Sequence, residues 1–100
     1  MTTTPRVALV TGGIGGIGTA ICQRLANDGL RVVANHHPSE REAALSWKND
    51  QIGAGFEIDT IAGDVSSFED CARMIDQIKA THGPVSVLVN CAGITRDKTF

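Results

Sequence analysis

The sequence predicts an α/β fold: a doubly wound parallel sheet with helices on both faces. Three observations carry that expectation. Short runs rich in β-branched residues recur around positions 7–10, 31–35, 56–62 and 85–89. Stretches with apolar residues at helical spacing lie between them, and each connection is long enough for a helix to cross to a parallel neighbour. Such β-α-β-α-β-α-β alternation implies right-handed crossovers, with helices on the faces of the sheet.

The elements follow in order. Val7, Ala8, Leu9 and Val10 form a short apolar run closed by Thr11, Gly12 and Gly13, as expected of a strand buried on both faces and ended by a turn. From Ile17 the apolar residues fall at Ala20, Ile21, Leu25 and Ala26, and Gly29 stands where a helix ends, which predicts a helix over 17–28. Arg31 to Asn35 repeats the strand signal. Pro38 occupies a position that a first helical turn tolerates, and Ala43, Ala44, Leu45 and Trp47 predict a second helix over 39–51, ended by Gly53 and Gly55. Phe56 to Ala62 alternates apolar and polar residues as a strand does. Ser67 suits the start of a third helix with Cys71, Met74, Ile75 and Ile78 as its apolar positions; Gly83 and Pro84 end it before the last strand, Val85 to Val89.

Of the 100 residues, 42% are apolar and 20% charged, the balance of one ordinary globular domain. Nine basic against eleven acidic side chains leave a formal charge of −2, so no positive field is available for nucleic acid or anionic lipid. No apolar run approaches the ~20 residues that a membrane span needs. The stretch from Met1 to Pro5 is too short and polar for a secretory signal, and a cytoplasmic location is expected. Cys22, Cys71 and Cys91 are odd in number and lack a C-x-x-C spacing, which argues against a disulfide framework or a metal site and for buried thiols.

The junction between the first strand and the first helix carries the chemistry. It reads Thr11, Gly12, Gly13, Ile14, Gly15, Gly16, Ile17, Gly18, a T-G-x-x-x-G-x-G spacing. Gly12 permits the tight turn, Gly16 lets backbone approach a pyrophosphate without a Cβ, and Gly18 allows close packing of the helix. The N–H groups of the first helical turn and the positive end of its dipole would face the anion. Glycine also collects in plain turns, but this stretch follows a strand and opens a helix inside a β-α-β unit, which points to a dinucleotide. A phosphate-loop NTPase is disfavoured because no Gly-Lys-Ser/Thr follows the glycines.

The end of the second strand discriminates between dinucleotides. An acidic residue there would bind the ribose of NAD; this chain instead carries Asn35, His36, His37, Pro38, Ser39, Glu40 and Arg41. Asn35, His36, Ser39 and Arg41 are expected to gather where a 2′-phosphate lies, with Glu40 turned outward, so NADP(H) is expected over NAD(H). A solvated loop is the competing account of the two histidines.

Two further motifs stand at strand ends: Gly63, Asp64 and Val65 after the third, and Asn90, Cys91, Ala92 and Gly93 after the fourth. From the residues alone, Asp64 is either an acceptor for an exocyclic amine or a carboxylate leading into a helix, and Ala92 with Gly93 either admits a ligand or makes a plain turn. With the glycine turn, in this order across nearly the whole chain, these motifs make the sequence resemble the short-chain dehydrogenase/reductase family. The fold so implied is the N-terminal half of a Rossmann-type sheet, with strand order 3-2-1-4. The resemblance implies that Asp64 and Val65 hold the adenine ring, and that Asn90, Ala92 and Gly93 line the cofactor and brace the sheet. The cofactor-binding set is then Gly12, Gly13, Ile14, Gly16, Ile17, Gly18, Asn35, Arg41, Gly63, Asp64, Val65, Asn90, Ala92, Gly93 and Thr95. The family's commonest form of the last motif has a second Asn where Cys91 stands.

Within the family, residues 10–26 and 92–97 look like those of the acetoacetyl-CoA reductases of polyhydroxybutyrate synthesis. The 3-oxoacyl-[acyl-carrier-protein] reductases, which share the second stretch, are the alternative. The likeness implies reduction of the 3-keto group of acetoacetyl-CoA by NADPH, giving the (R)-3-hydroxyacyl thioester, in a homotetramer. Asp97 is a candidate for receiving the pantetheine arm, a solvated loop charge being the other account of it. Family chemistry uses a Tyr as general acid, a Lys four residues later and a Ser. This chain has no Tyr, so residues 1–100 are expected to be the NADP-binding half-domain of a longer reductase, inactive alone. A non-catalytic nucleotide-binding module is the competing class.

Overall fold

A computed structural model, which describes residues 5–92, gathers four strands into one parallel sheet. In chain order the elements are β1 (Val7–Thr11), α1 (Gly16–Asn27), β2 (Arg31–His36), a 3₁₀ turn (Pro38–Glu40), α2 (Arg41–Gly53), β3 (Ile58–Ala62), α3 (Phe68–Thr81) and β4 (Val85–Asn90). The strand order is β3-β2-β1-β4, one that right-handed crossovers allow and that the family resemblance implies. β1 is buried along its whole length because it pairs with β2 on one side and β4 on the other.

The helices divide between the two faces. On one face Val10, Cys22, Val32, Ala34, Ile58 and Cys91 are buried together, and Leu25, Trp47 and Phe56 pack against them from α1, α2 and the approach to β3. Two hydrogen bonds hold α1 and α2 side by side: Trp47 Nε1 donates to Thr19 Oγ1 at 2.9 Å and Gln23 Nε2 to Gln51 Oε1 at 2.9 Å. α3 covers the opposite face, where Ile78 is buried among Val7, Leu9 and Val33. Burial of a side chain such as Ile78 contributes about 1.5–3 kcal/mol. α1 ends as its sequence predicts. Gly29 takes φ +92°, its N–H reaches Ala26 O at 3.0 Å and that of Leu30 reaches Leu25 O at 3.2 Å, closing the last turn on itself.

Three details depart from expectation. The second helix does not begin at Ser39, because Pro38, Ser39 and Glu40 form a separate 3₁₀ turn ahead of α2. Cys71 is only half-buried, whereas Cys22 and Cys91 are fully enclosed; it lies near the start of α3, where Phe68 stands 87% exposed. β4 slips by one residue against β1, so that Val7 pairs with Val85 but Ala8 with Val87. This bulge places Val85 against the α3 face and Val89 against the α1 face, although they stand four positions apart, an even spacing that would otherwise share one face. Leu88, paired with Leu9, is left 63% exposed.

Candidate functional site

The strand order reverses between β1 and β4, which opens a crevice at the carboxyl ends of these strands. The glycine turn stands there. Gly12 adopts φ +63°, a conformation that strains any side chain, and a Cβ on it would fall 2.8 Å from the Ala92 backbone. A Cβ on Gly13 would lie 2.7 Å from that of Ala34, and one on Gly18 would lie 2.5 Å from Gly12 O. These three glycines let the loop, α1 and the strand ends close on one another. Gly13 is buried and shapes the loop from below. Gly16 differs: among the described residues nothing beyond its chain neighbours and its own helix backbone lies within 4 Å of where its Cβ would be, so backbone faces open space at the start of α1. Ile17 is 49% exposed beside it, while Ile14 packs against the core.

The amino terminus of α1 is bare. Gly15 caps it without a side-chain bond, no acidic residue occupies the first turn, and the first backbone bond is Thr19 N–H to Gly15 O at 2.7 Å. The earlier N–H groups and the positive dipole end are left for an anion. α3 shows the contrast: Ser67 Oγ accepts from Asp70 N–H at 3.2 Å, and Glu69 and Asp70 fill its first turn.

Thr11, which closes β1 and opens the glycine run but is absent from the expected cofactor-binding set, ties the two sides of the crevice. Its hydroxyl donates to Asn90 Oδ1 at 2.7 Å and accepts from Cys91 N–H at 3.1 Å and Ala92 N–H at 3.4 Å. The signal was the threonine opening the T-G-x-x-x-G-x-G run, since a hydroxyl can both donate and accept where two strand ends meet. Burial, with Cys91 nearby, pushes the Cys22 thiol up to about 12, so Cys22 serves the core and not the chemistry.

At the end of β2 the structure corrects the expected cluster of donors. β2 runs through His36, which pairs with Ala62, one residue further than predicted. Asn35 and His36 therefore stay inside, at 2% and 5% exposure. Asn35 Oδ1 accepts from Gly12 N–H at 3.2 Å, and its Nδ2 donates to Gly63 O at 3.0 Å and His36 O at 3.2 Å. The amide is consumed beneath the loop and presents nothing to a phosphate. Glu40 is exposed, and its carboxylate folds back to accept from His37 N–H at 3.0 Å, while His37 Nδ1 accepts from Ser39 N–H at 3.1 Å, a capping box. The rim is left to His37, Ser39 and Arg41, all exposed. The Arg41 side chain has no hydrogen-bond or ion-pair partner among the described residues.

Gly63 is buried where a Cβ would run into the Met74 side chain. Asp64 Oδ1 accepts from the Ser66 N–H at 2.9 Å and its hydroxyl at 2.7 Å, and Oδ2 lies 3.9 Å from His37 Nε2. Val65 is 40% exposed beside it. Gly93, Thr95 and Asp97 lie outside the described residues. A cavity of about 770 Å³ lined in part by Arg31, Lys48, Phe56, Asp59 and His82 sits at the amino ends of β2 and β3, the edge opposite the glycine turn.

Residues 6–100 match the short chain dehydrogenase family. The chain belongs to that family. Among relatives in it, the acetoacetyl-CoA reductase of Allochromatium vinosum is 63% identical over 95% of this chain, and that of Cupriavidus necator 47% identical over 97%. The chain spans 39% of the length of each. A variant actinorhodin polyketide ketoreductase crystallised with NADPH superposes with a TM-score of 0.79 at 36% identity, covering 90% of this chain and 34% of its own.

Proposed function

We propose that residues 1–100 are the N-terminal, NADPH-binding part of a reductase that converts acetoacetyl-CoA to the (R)-3-hydroxyacyl thioester. The observation that carries this reading is the 63% identity to an acetoacetyl-CoA reductase across 95% of the chain. The NADPH in a ketoreductase of the same fold supports the cofactor. The site suits such a group: the uncapped start of α1 has no carboxylate to oppose a pyrophosphate, and the only acid in the 3₁₀ turn, Glu40, is held by its own backbone.

When bound, NADPH supplies the hydride that reduces the 3-keto carbon. The chain's own residues bind and orient. The first-turn N–H groups from Gly16 to Gly18, with Ile14 and Ile17 beside them, receive the pyrophosphate, and Gly12 and Gly13 shape the turn that aims them. Arg41, with Ser39 and His37, receives the 2′-phosphate as a charged donor fork. Gly63, Asp64 and Val65 flank the adenine, while Asn90, Ala92, Gly93 and Thr95 border the nicotinamide side. Asp97 meets the acyl thioester. The chain contains no Tyr, so the general acid that delivers the proton lies beyond residue 100, and the segment alone has no reductase activity. The complete enzyme is a cytoplasmic homotetramer.

The test is steady-state turnover of the complete reductase. NADPH oxidation with acetoacetyl-CoA, with NADH much the poorer donor, is the expected result. No turnover with acetoacetyl-CoA, or a preference for NADH, overturns the proposal. Faster turnover with the acyl-carrier-protein thioester moves the assignment to the 3-oxoacyl-[acyl-carrier-protein] reductases.

A further inference from the structure

We infer that Asn35 is a positioning residue that fixes the glycine turn and the Gly63 loop in one mutual geometry, so that the cofactor meets a preformed surface. The inference rests on the cofactor reading above. Asn35 is buried, at 2% exposure, and touches the site only from beneath. Its side chain reaches both loops at once: Oδ1 accepts from Gly12 N–H at 3.2 Å, and Nδ2 donates to Gly63 O at 3.0 Å. Its main-chain carbonyl accepts from Gly13 N–H at 3.0 Å. Nδ2 also meets His36 O at 3.2 Å and rests against Met74 Sδ at 3.3 Å, which leaves the amide no second orientation: flipped, it would set a donor against a donor and an oxygen against two carbonyls. A carboxamide is therefore needed here, one acceptor toward the phosphate turn and one donor toward the adenine side. Holding both loops before the ligand arrives removes an ordering cost from binding.

The deciding variants are Asn35→Asp and Asn35→Ala in the complete reductase. Asn35→Asp keeps the shape and the acceptor but sets a buried carboxylate against Gly63 O and His36 O, where its protonated form is favoured. At pH 8 the KM for NADPH is expected to rise about tenfold, the scale of one lost buried hydrogen bond, with kcat and the acyl-thioester KM changed less than twofold. As the pH falls toward 6 the protonated carboxyl regains the donor, and the ratio of the variant's NADPH KM to that of the wild type falls. Asn35→Ala raises the NADPH KM without that recovery; thermal melts confirm that each variant is folded, and Asn35→Asp decides if Asn35→Ala is not. A ratio within twofold at both pH values overturns the inference. A wild-type enzyme with no affinity for NADPH overturns the cofactor reading itself, and this inference with it.

Discussion

Two glycines two residues apart in the same turn have opposite sensitivities. At Gly18 a methyl group would press on Gly12 O at 2.5 Å, a backbone atom that cannot swing away, so Gly18→Ala is expected to cost about 1–3 kcal/mol by overpacking. At Gly16 it would meet, among the described residues, nothing within 4 Å beyond its chain neighbours and its own helix backbone. Gly16→Ala therefore keeps or raises the Tm, since alanine loses less backbone entropy, but raises the KM for NADPH about tenfold by occupying the space of the ligand. Thermal melts and cofactor titration of the two variants together check both halves of this statement. Arg41→Ala should narrow the preference for NADPH over NADH by about tenfold, by removing a charged phosphate contact; comparison of kcat/KM for the two cofactors tests it. The residue types of the glycine turn were legible because spacing alone states what a turn, an approach and a packing contact require. Asn35 was read as a surface donor because composition does not reveal that the strand continues one residue further and takes the side chain inside.

Between elements, the β3 edge of the sheet, as it stands among the described residues, is held by charge. Asp59 on β3 accepts from Lys48 Nζ of α2 at 3.0 Å and lies 2.9 Å from Nε2 of His82, just past α3. Burial opposes its ionisation, but the hydrogen bonds from Lys48, His82 and the Thr60 N–H outweigh burial and hold its carboxyl below the usual value. A depressed carboxyl stabilises the fold fully above its unfolded value of about 3.9 and loses that contribution as pH falls through the folded value. The Asp59 side chain is 42% exposed, so solvent screening keeps the contribution to about 0–1 kcal/mol. Urea titrations from neutral pH to pH 3 should show Asp59→Asn less stable than wild type near neutrality, with the difference closing in acid; a constant difference would remove Asp59 from the acid response. The strands and helices were placed by sequence to within one or two residues, because apolar period and glycine stops act locally. The 3₁₀ turn escaped because its cap is His37, a residue whose ring nitrogen does what Ser or Asp usually does.

For the whole molecule, alternation and handedness gave the parallel sheet, but order 3-2-1-4 and with it the position of the crevice came with the family motifs, because right-handed crossovers also admit the order 2-1-3-4. β4 is a sheet edge among the described residues, with Leu88 63% exposed on it. Residues 1–100 expressed alone are expected to associate through that edge, giving a broad or concentration-dependent elution in size-exclusion chromatography; a monodisperse monomer with a cooperative melt would refute this. The slip in β4 was beyond sequence reading, because Val85, Val87 and Val89 look like an unbroken alternation. Its effect is one of tolerance. The extra residue at Ser86 is slack taken up near the start of the strand, ahead of the Thr11 and Asn90 pair. Deleting it would straighten the ladder without moving the business end, so this is where the domain can gain or lose a residue in evolution and still keep its inside in and its outside out.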